Sequence, residues 1–264
     1  MTIQKVIDDP DGIHLSKGDG IAIIDADSMI YICMGAPTLR ACKLKLDTLI
    51  LNSMESTNCS SYIGCLSVSD TFRVKIGKTK AYKGNRTEKT LPNTFYPLKE
   101  YAQEAWGFFS APGLEADDLV CAYAEKYDPT AMVLSIDKDV LQQYPGTHYN
   151  YRSNEVVKTS RKHAWWFLWM QVLAGDPTDN IPGLPGIGLA KATKILEGVN
   201  PPDYPLVCLR EYIESDKWDT TEGMHRFKES YDLVYLLKTP GDFAHYGLTL
   251  PAIEPKSITE IWKS

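Results

Sequence analysis

Nine carboxylates dominate the chemistry of this 264-residue chain: Asp25, Asp70, Glu115, Asp117, Asp118, Asp137, Asp139, Asp176 and Asp179. They lie in five islands, each read as the end of a strand or the start of a helix. Like charges gathered in one place cannot all ionise without compensation. A divalent cation supplies it, and an all-oxygen donor set suits Mg²⁺ or Mn²⁺ better than zinc. Spacing supports shared faces: Glu115 and Asp118 are three apart at a helix start, where anions are favoured. Asp137 and Asp139 are two apart, and an extended segment points both one way. Two metals roughly 4 Å apart suit in-line attack of water on a phosphodiester. No Ser-His-Asp or Cys-His arrangement offers a covalent route.

The elements around these acids are legible. Ile21–Ile24 is a buried strand ending at Asp25. Residues 38–58 read as a helix, Tyr62–Val68 as a second strand before Asp70, and 95–106 and 115–127 as helices. Ala131–Ile136 is a third strand ending at Asp137, and helices are expected at 161–174 and 189–196. Strands alternating with helices predict an α/β fold with a mainly parallel central sheet. Sites in such sheets form at the carboxyl ends of strands.

Two further segments carry chemistry. From Arg73 to Lys89 the chain holds seven Lys/Arg and one acid, Glu88. A stretch so basic and so poor in core residues faces solvent or a polyanion. Within it, Tyr82, Lys83 and Arg86 combine an aromatic with two cations, suited to a phosphate and an unpaired base. Later, Gly183, Gly186 and Gly188 precede a helix bearing Lys191 and Lys194. Glycines permit tight turns and close approach, and uncapped helix amides bind phosphate. The spacing resembles the hairpin of helix–hairpin–helix elements, which grip backbone phosphates, with a plain Gly/Pro turn between two helices as the alternative; GxxxxGK[ST] is absent.

Composition sets the frame. Hydrophobic residues make up 44%, enough for an ordinary core, and the length allows one large domain or one with an appendage. Net charge is −6, but with nine acids assigned to one site the remainder has slightly more bases than acids. The six cysteines and five histidines show no zinc spacing and read as reduced, packed residues. No run reaches the ~18 apolar residues of a membrane span, and residues 1–19 read as an irregular lead-in without signal-peptide character, so a cytoplasmic protein is expected.

Taken in order, IIDADSMIY, SVSDTFR, YKGNR, GLEADD, SIDKD and GDPTDNIPGLPGIG resemble the motifs of the 5′-nuclease superfamily: flap endonucleases, the 5′-nuclease domains of bacterial DNA polymerases, and free-standing bacteriophage 5′→3′ exonucleases, the last most closely. The match runs over about residues 20–196. The resemblance implies a PIN-like α/β core (20–174) with a helical arch or clamp at about 73–105, and a helix–hairpin–helix DNA-binding and C-terminal region over 175–264. It implies a first metal cluster of Asp25, Asp70, Glu115, Asp117 and Asp118, and a second of Asp137, Asp139, Asp176 and Asp179. Lys83 and Arg86 match the arch cations on the scissile phosphate, working with Asp25, Asp117 and Asp139 in catalysis. Gly183, Gly186 and Gly188 match a hairpin that holds K⁺ in relatives. Asp70 departs from the FDG setting common in the family. The implied activity is Mg²⁺-dependent (Mn²⁺ able to substitute) hydrolysis of DNA at 5′ ends, flaps or nicks, and of RNA–DNA hybrids in some relatives. The implied setting is phage replication or recombination; a monomer is expected because no heptad or large apolar stripe is evident. A PIN-like ribonuclease and a non-catalytic DNA-binding module are the alternatives.

Overall fold

The computed structural model describes residues 20–86 and 91–258. The lead-in expected at 1–19 and the end of the basic stretch at 87–89 lie outside them. The described chain forms two compact units, one of 20–69, 91–159 and 237–258, the other of 70–86 and 160–236. These cut across the linear boundaries expected above.

The first unit is built on the sheet. Strand β1 (Gly20–Asp25) is followed at once by helix α1 (Ala26–Cys33), then α2 (Leu39–Thr57) and β2 (Cys59–Leu66). Thr38 caps α2 through its side chain, and Asn58 ends it in the left-handed region at φ 54. Both residue types suit those positions. Helix α4 (Phe95–Trp106), β3 (Phe109–Ser110), α5 (Ala116–Lys126) and β4 (Ala131–Leu134) follow, then α6 (Lys138–Gln143), β5 (Gly146–Asn150) and β6 (Glu155–Thr159). The C-terminal part adds α11 (Pro240–His245) and β7 (Lys256–Ser257).

Strand order is β3-β2-β1-β4-β5-β6. The pairs joining β3 through β5 are parallel; β5–β6 and β2–β7 are antiparallel. Ala22, Ile23 and Ile24 of β1 have no exposure, as a central parallel strand covered on both faces requires. The chain leaves β1 toward β2 and β3 on one side, then returns to β4 on the other. Strands β1 and β4 therefore flank the topological switch point, where α/β sheets open a crevice at the strands' carboxyl ends.

In the second unit, the short α3 (Phe72–Ile76) joins α7 (Arg161–Ala174), α8 (Leu189–Leu196), α9 (Tyr204–Ile213) and α10 (Thr220–Val234). Leu168, Leu173, Leu184, Cys208, Tyr212 and Leu233 belong to its core, which also takes in Tyr82. The basic segment is fastened here. Arg73, 1% exposed, donates from Nε to the Leu233 carbonyl (3.0 Å) and from Nη2 to the Tyr235 carbonyl (2.6 Å) at the end of α10. The Lys78 and Thr79 amides donate to Glu229 Oε1 at 2.6 and 2.7 Å. These bonds span about 150–160 residues, which explains why the segment leaves its neighbours in sequence.

Candidate active site

The switch point carries the site of the first unit. Ile24 pairs with Leu134 in parallel register, so the next residues, Asp25 and Ser135, emerge side by side. Asp25 caps α1, accepting from the Ser28 amide (3.4 Å) and hydroxyl (2.5 Å). The buried Ser135 hydroxyl donates to Asp25 Oδ2 at 2.8 Å and accepts from the Asp137 amide at 2.9 Å. One hydroxyl thus locks two acidic islands together. Asp137 in turn caps α6 by accepting from the Asp139 amide at 2.7 Å.

Burial pushes the Asp25 carboxyl up to about 6, Ser28 and Ser135 oppose the rise, and the negative charges of Asp27 and Asp137 add to it. Asp27, in the first turn of α1, accepts from the Ser67 amide at 3.0 Å. Ser67 also accepts from the Ala116 amide at 2.8 Å, anchoring the start of α5. Burial first, then the charges of Asp25 and Asp27, hold the Cys65 thiol far above its usual range. Glu115 is the N-cap of α5, in a reciprocal capping box with Asp118. Asp118 has no exposure and accepts from the Glu115 and Leu237 amides at 3.4 and 3.1 Å. As placed, Asp118 fastens the helix start.

The structure therefore joins Asp25 and Asp137 through Ser135, with Asp139 beside Asp137, and sets Glu115, Asp117 and Asp118 together at the start of α5. The other three acids belong to the second unit. Asp70 lies beyond the end of β2 rather than at its tip; it is 75% exposed and pairs with Lys75 at 3.7 Å, a surface contact of little energetic weight. Asp176 is buried and accepts from the Thr178 amide at 2.7 Å. Asp179 meets the three basic-segment residues singled out from sequence: Arg86 Nη2 at 2.5 Å, the Tyr82 hydroxyl at 3.1 Å and Lys83 Nζ at 3.8 Å. Among the described residues, no three His, Cys, Asp or Glu side chains are grouped to hold an ion. The donor chemistry nonetheless fits a hard cation: oxygen ligands only, with one buried carboxyl whose ionisation neighbouring negative charges oppose.

The hairpin glycines divide by role. Gly183 has φ +60, and a Cβ there would lie 2.3 Å from the Gly175 nitrogen, so its missing side chain lets the turn close on itself. Gly186 has φ +80 with open space around it. Gly188 is the N-cap of α8 and has no side chain to satisfy the helix's first amides. Lys191 Nζ donates to the Gly186 carbonyl at 2.9 Å, and Lys194 is exposed on the same helix.

Ser28, Ser67 and Ser135 are the positioning residues that sequence reasoning missed. SIDKD and SVSD place serines beside acids, but a hydroxyl's partner depends on which strands pair.

No protein-family model matches the chain. It is 34% identical to the 5′-3′ exonuclease of Buchnera aphidicola subsp. Acyrthosiphon pisum over 136 residues, 46% of this chain and 47% of that one. It is 32% identical to DNA polymerase I of Rhizobium leguminosarum over 133 residues, 44% of this chain and 13% of that one. The chain thus spans less than half the length of these relatives. The structure aligns with the T5 D15 protein co-crystallised with metal ions at a TM-score of 0.63 and 19% identity, over 82% of this chain and 89% of that one. Its fold is that of the T5 D15 protein, and under half of its length is similar in sequence to 5′-3′ exonucleases and DNA polymerase I. A second solved structure, of a point variant of the bacteriophage T5 D15 flap endonuclease in a pseudo-enzyme-product complex with DNA and metal ions, aligns at a TM-score of 0.64 and 19% identity, over 86% and 93% of the two chains. Among the described residues, no helix is long and apolar enough to cross a membrane.

Proposed function

We propose that the chain is a divalent-metal-dependent 5′ nuclease that hydrolyses DNA phosphodiesters at 5′ ends, flaps and nicks, with water as nucleophile, leaving a 5′-phosphate and a 3′-hydroxyl. The observation that carries this reading is Asp25, buried at the switch point and tied through Ser135 to Asp137. Buried carboxyls whose ionisation is opposed by burial and by neighbouring charges are costly in the empty protein. Retaining them is reasonable where a cation completes the site.

In the first unit, Asp25, Glu115, Asp117, Asp118, Asp137 and Asp139 would hold Mg²⁺ or Mn²⁺; in the second, Asp176 and Asp179 would bind a cation. Such ions ease the loss of a proton from bound water and neutralise charge on a phosphoryl oxygen. The chain's own groups do the rest. Ser28 and Ser135 keep Asp25 oriented and favour its charged form. Lys83 and Arg86 bind the phosphate at the point of cleavage, Tyr82 carries Lys83 over its ring at 4.9 Å, and the amides at the start of α8 with Lys191 and Lys194 bind duplex phosphates without reading sequence. A K⁺ at the hairpin would compete with the Lys191 ammonium for the Gly186 carbonyl. A role in phage DNA replication or recombination and a monomeric state complete the proposal.

Matched DNA and RNA flaps of one sequence test the substrate class. Mg²⁺-dependent cutting of DNA in strong preference to RNA is the expected result. Preference for RNA would replace this reading with a ribonuclease of the same fold, and binding without cutting in Mg²⁺ or Mn²⁺ would replace it with a non-catalytic module.

A further inference from the structure

Residues 81–86 and 176–181, both in the second unit, are joined in two distinct ways. The first uses backbone carbonyls. The Lys83 amide donates to the Asp179 carbonyl at 2.8 Å, the Asn180 side-chain amide to the Ala81 carbonyl at 2.8 Å, and the Asn85 side-chain amide to the Pro177 carbonyl at 2.7 Å. Lys83 and Asn180 both hold the left-handed conformation, φ 55 and 61, that this docking needs. The second uses one carboxylate: Asp179 takes Arg86 on Oδ1, and Tyr82 and Lys83 on Oδ2.

The two sets are separable, since none of the carbonyl bonds uses the Asp179 carboxylate. It can exchange partners while the loop stays docked. Its ion pairs are also suited to exchange: Asp179 is 17% exposed, but Arg86 is 54% exposed, and solvent screens such pairs to modest strength. A carboxylate bound by a guanidinium, an ammonium and a phenol occupies the place that a phosphate's oxygens would take.

We propose that Asp179 is an internal stand-in for substrate phosphate. In the protein free of nucleic acid it holds Lys83 and Arg86. A nucleic-acid phosphate must displace it, and a divalent cation that draws the carboxylate away frees both bases. Cation and phosphate binding then strengthen each other, reciprocally, through one side chain. This rests on the function proposed above and adds the coupling between its two halves.

The test uses the full chain, a short labelled single-stranded DNA and EDTA at low salt. Asp179→Asn keeps the carbonyl bonds and removes the competing charge, so it binds the strand more tightly, roughly two- to fivefold. Adding Arg86→Ala abolishes the gain, and Asp203→Asn, an exposed acid of the same unit, gives a smaller effect. Unchanged or weaker binding by a folded Asp179→Asn protein overturns the proposal, because a purely structural ion pair predicts that result. A second readout needs no variant to bind DNA. The Arg86 Nε–H NMR resonance moves when Mg²⁺ is added to the wild-type protein without DNA; a stationary resonance also overturns the proposal. Failure of wild type and variants alike to bind any strand overturns the nuclease reading, and the Arg86 resonance then decides the exchange separately.

Discussion

Ser135 and Asp25 are 110 residues apart in sequence, and the serine hydroxyl donates to the aspartate at 2.8 Å. That bond places a charge-favouring donor on a carboxyl that burial pushes up to about 6. Ser135→Ala removes it. The Asp25 carboxyl, followed by ¹³C NMR in EDTA, should then titrate above the wild-type value. A hydrogen bond to a charged group is worth roughly 1.5–3 kcal/mol. A titration point unchanged or lowered would show that Ser135 does not tune Asp25.

Asp25→Asn should stabilise the metal-free protein at neutral pH. The folded pKa, about 6, lies above the reference of 3.8, so the folded state binds more protons between these values. Stability is therefore fully present below 3.8 and is lost as pH rises through about 6. Asparagine still caps α1 and carries no charge. The thermal midpoint of the variant relative to wild type, measured in EDTA, should climb between pH 4 and 7 and then level off. A difference independent of pH would remove the charge conflict from the account.

His148 acts in the opposite sense. It has no exposure, its Nε2 lies 2.9 Å from the Tyr144 carbonyl, and burial lowers its pKa from 6.5 to about 4. The unfolded chain binds the extra proton between these values, so stability rises with pH from 4 to 6.5 and is flat above. His148→Gln should flatten that limb in pH-dependent urea unfolding. An unaltered slope would assign acid sensitivity elsewhere.

Much of this was legible before the structure. Helices α4, α7 and α8 fall where they were expected, and α2 (Leu39–Thr57) lies within the expected 38–58. All three expected strands are present, although β2 ends at Leu66, short of Asp70. What spacing could not show was pairing between distant segments. Arg73 reads as one more cation in a basic run, yet its guanidinium is buried against α10, 160 residues away. Ser135 reads as an ordinary small polar residue until β1 and β4 are neighbours. Helix α1 was missed because Asp25 serves at once as the last residue of β1 and the cap of the next helix.

Arg73→Leu should destabilise the protein by roughly 3 kcal/mol, since it strips the buried Leu233 carbonyl and the part-buried Tyr235 carbonyl of a fixed donor fork. Lysine, with one charged tip, should restore little of this. Denaturant unfolding measures both variants, and a loss below about 1 kcal/mol would mean that the carbonyls find other donors.

Gly183→Ala and Gly186→Ala separate crowding from backbone strain. Both carry positive φ, but only at Gly183 does the added carbon strike backbone. Gly186→Ala should cost about 1–2 kcal/mol and Gly183→Ala clearly more, with weaker duplex binding. Equal losses would show that the turn can open.

Cleavage of a 5′-labelled DNA flap with and without Mg²⁺, by wild type and Asp25→Asn, tests the central claim most directly. Wild type should cut near the junction only in Mg²⁺, and the variant should remain folded, bind the flap and cut it at least a hundredfold more slowly, about 3 kcal/mol of barrier. Comparable Mg²⁺-dependent cutting by the two proteins would contradict the assignment of the site to the switch point between β1 and β4.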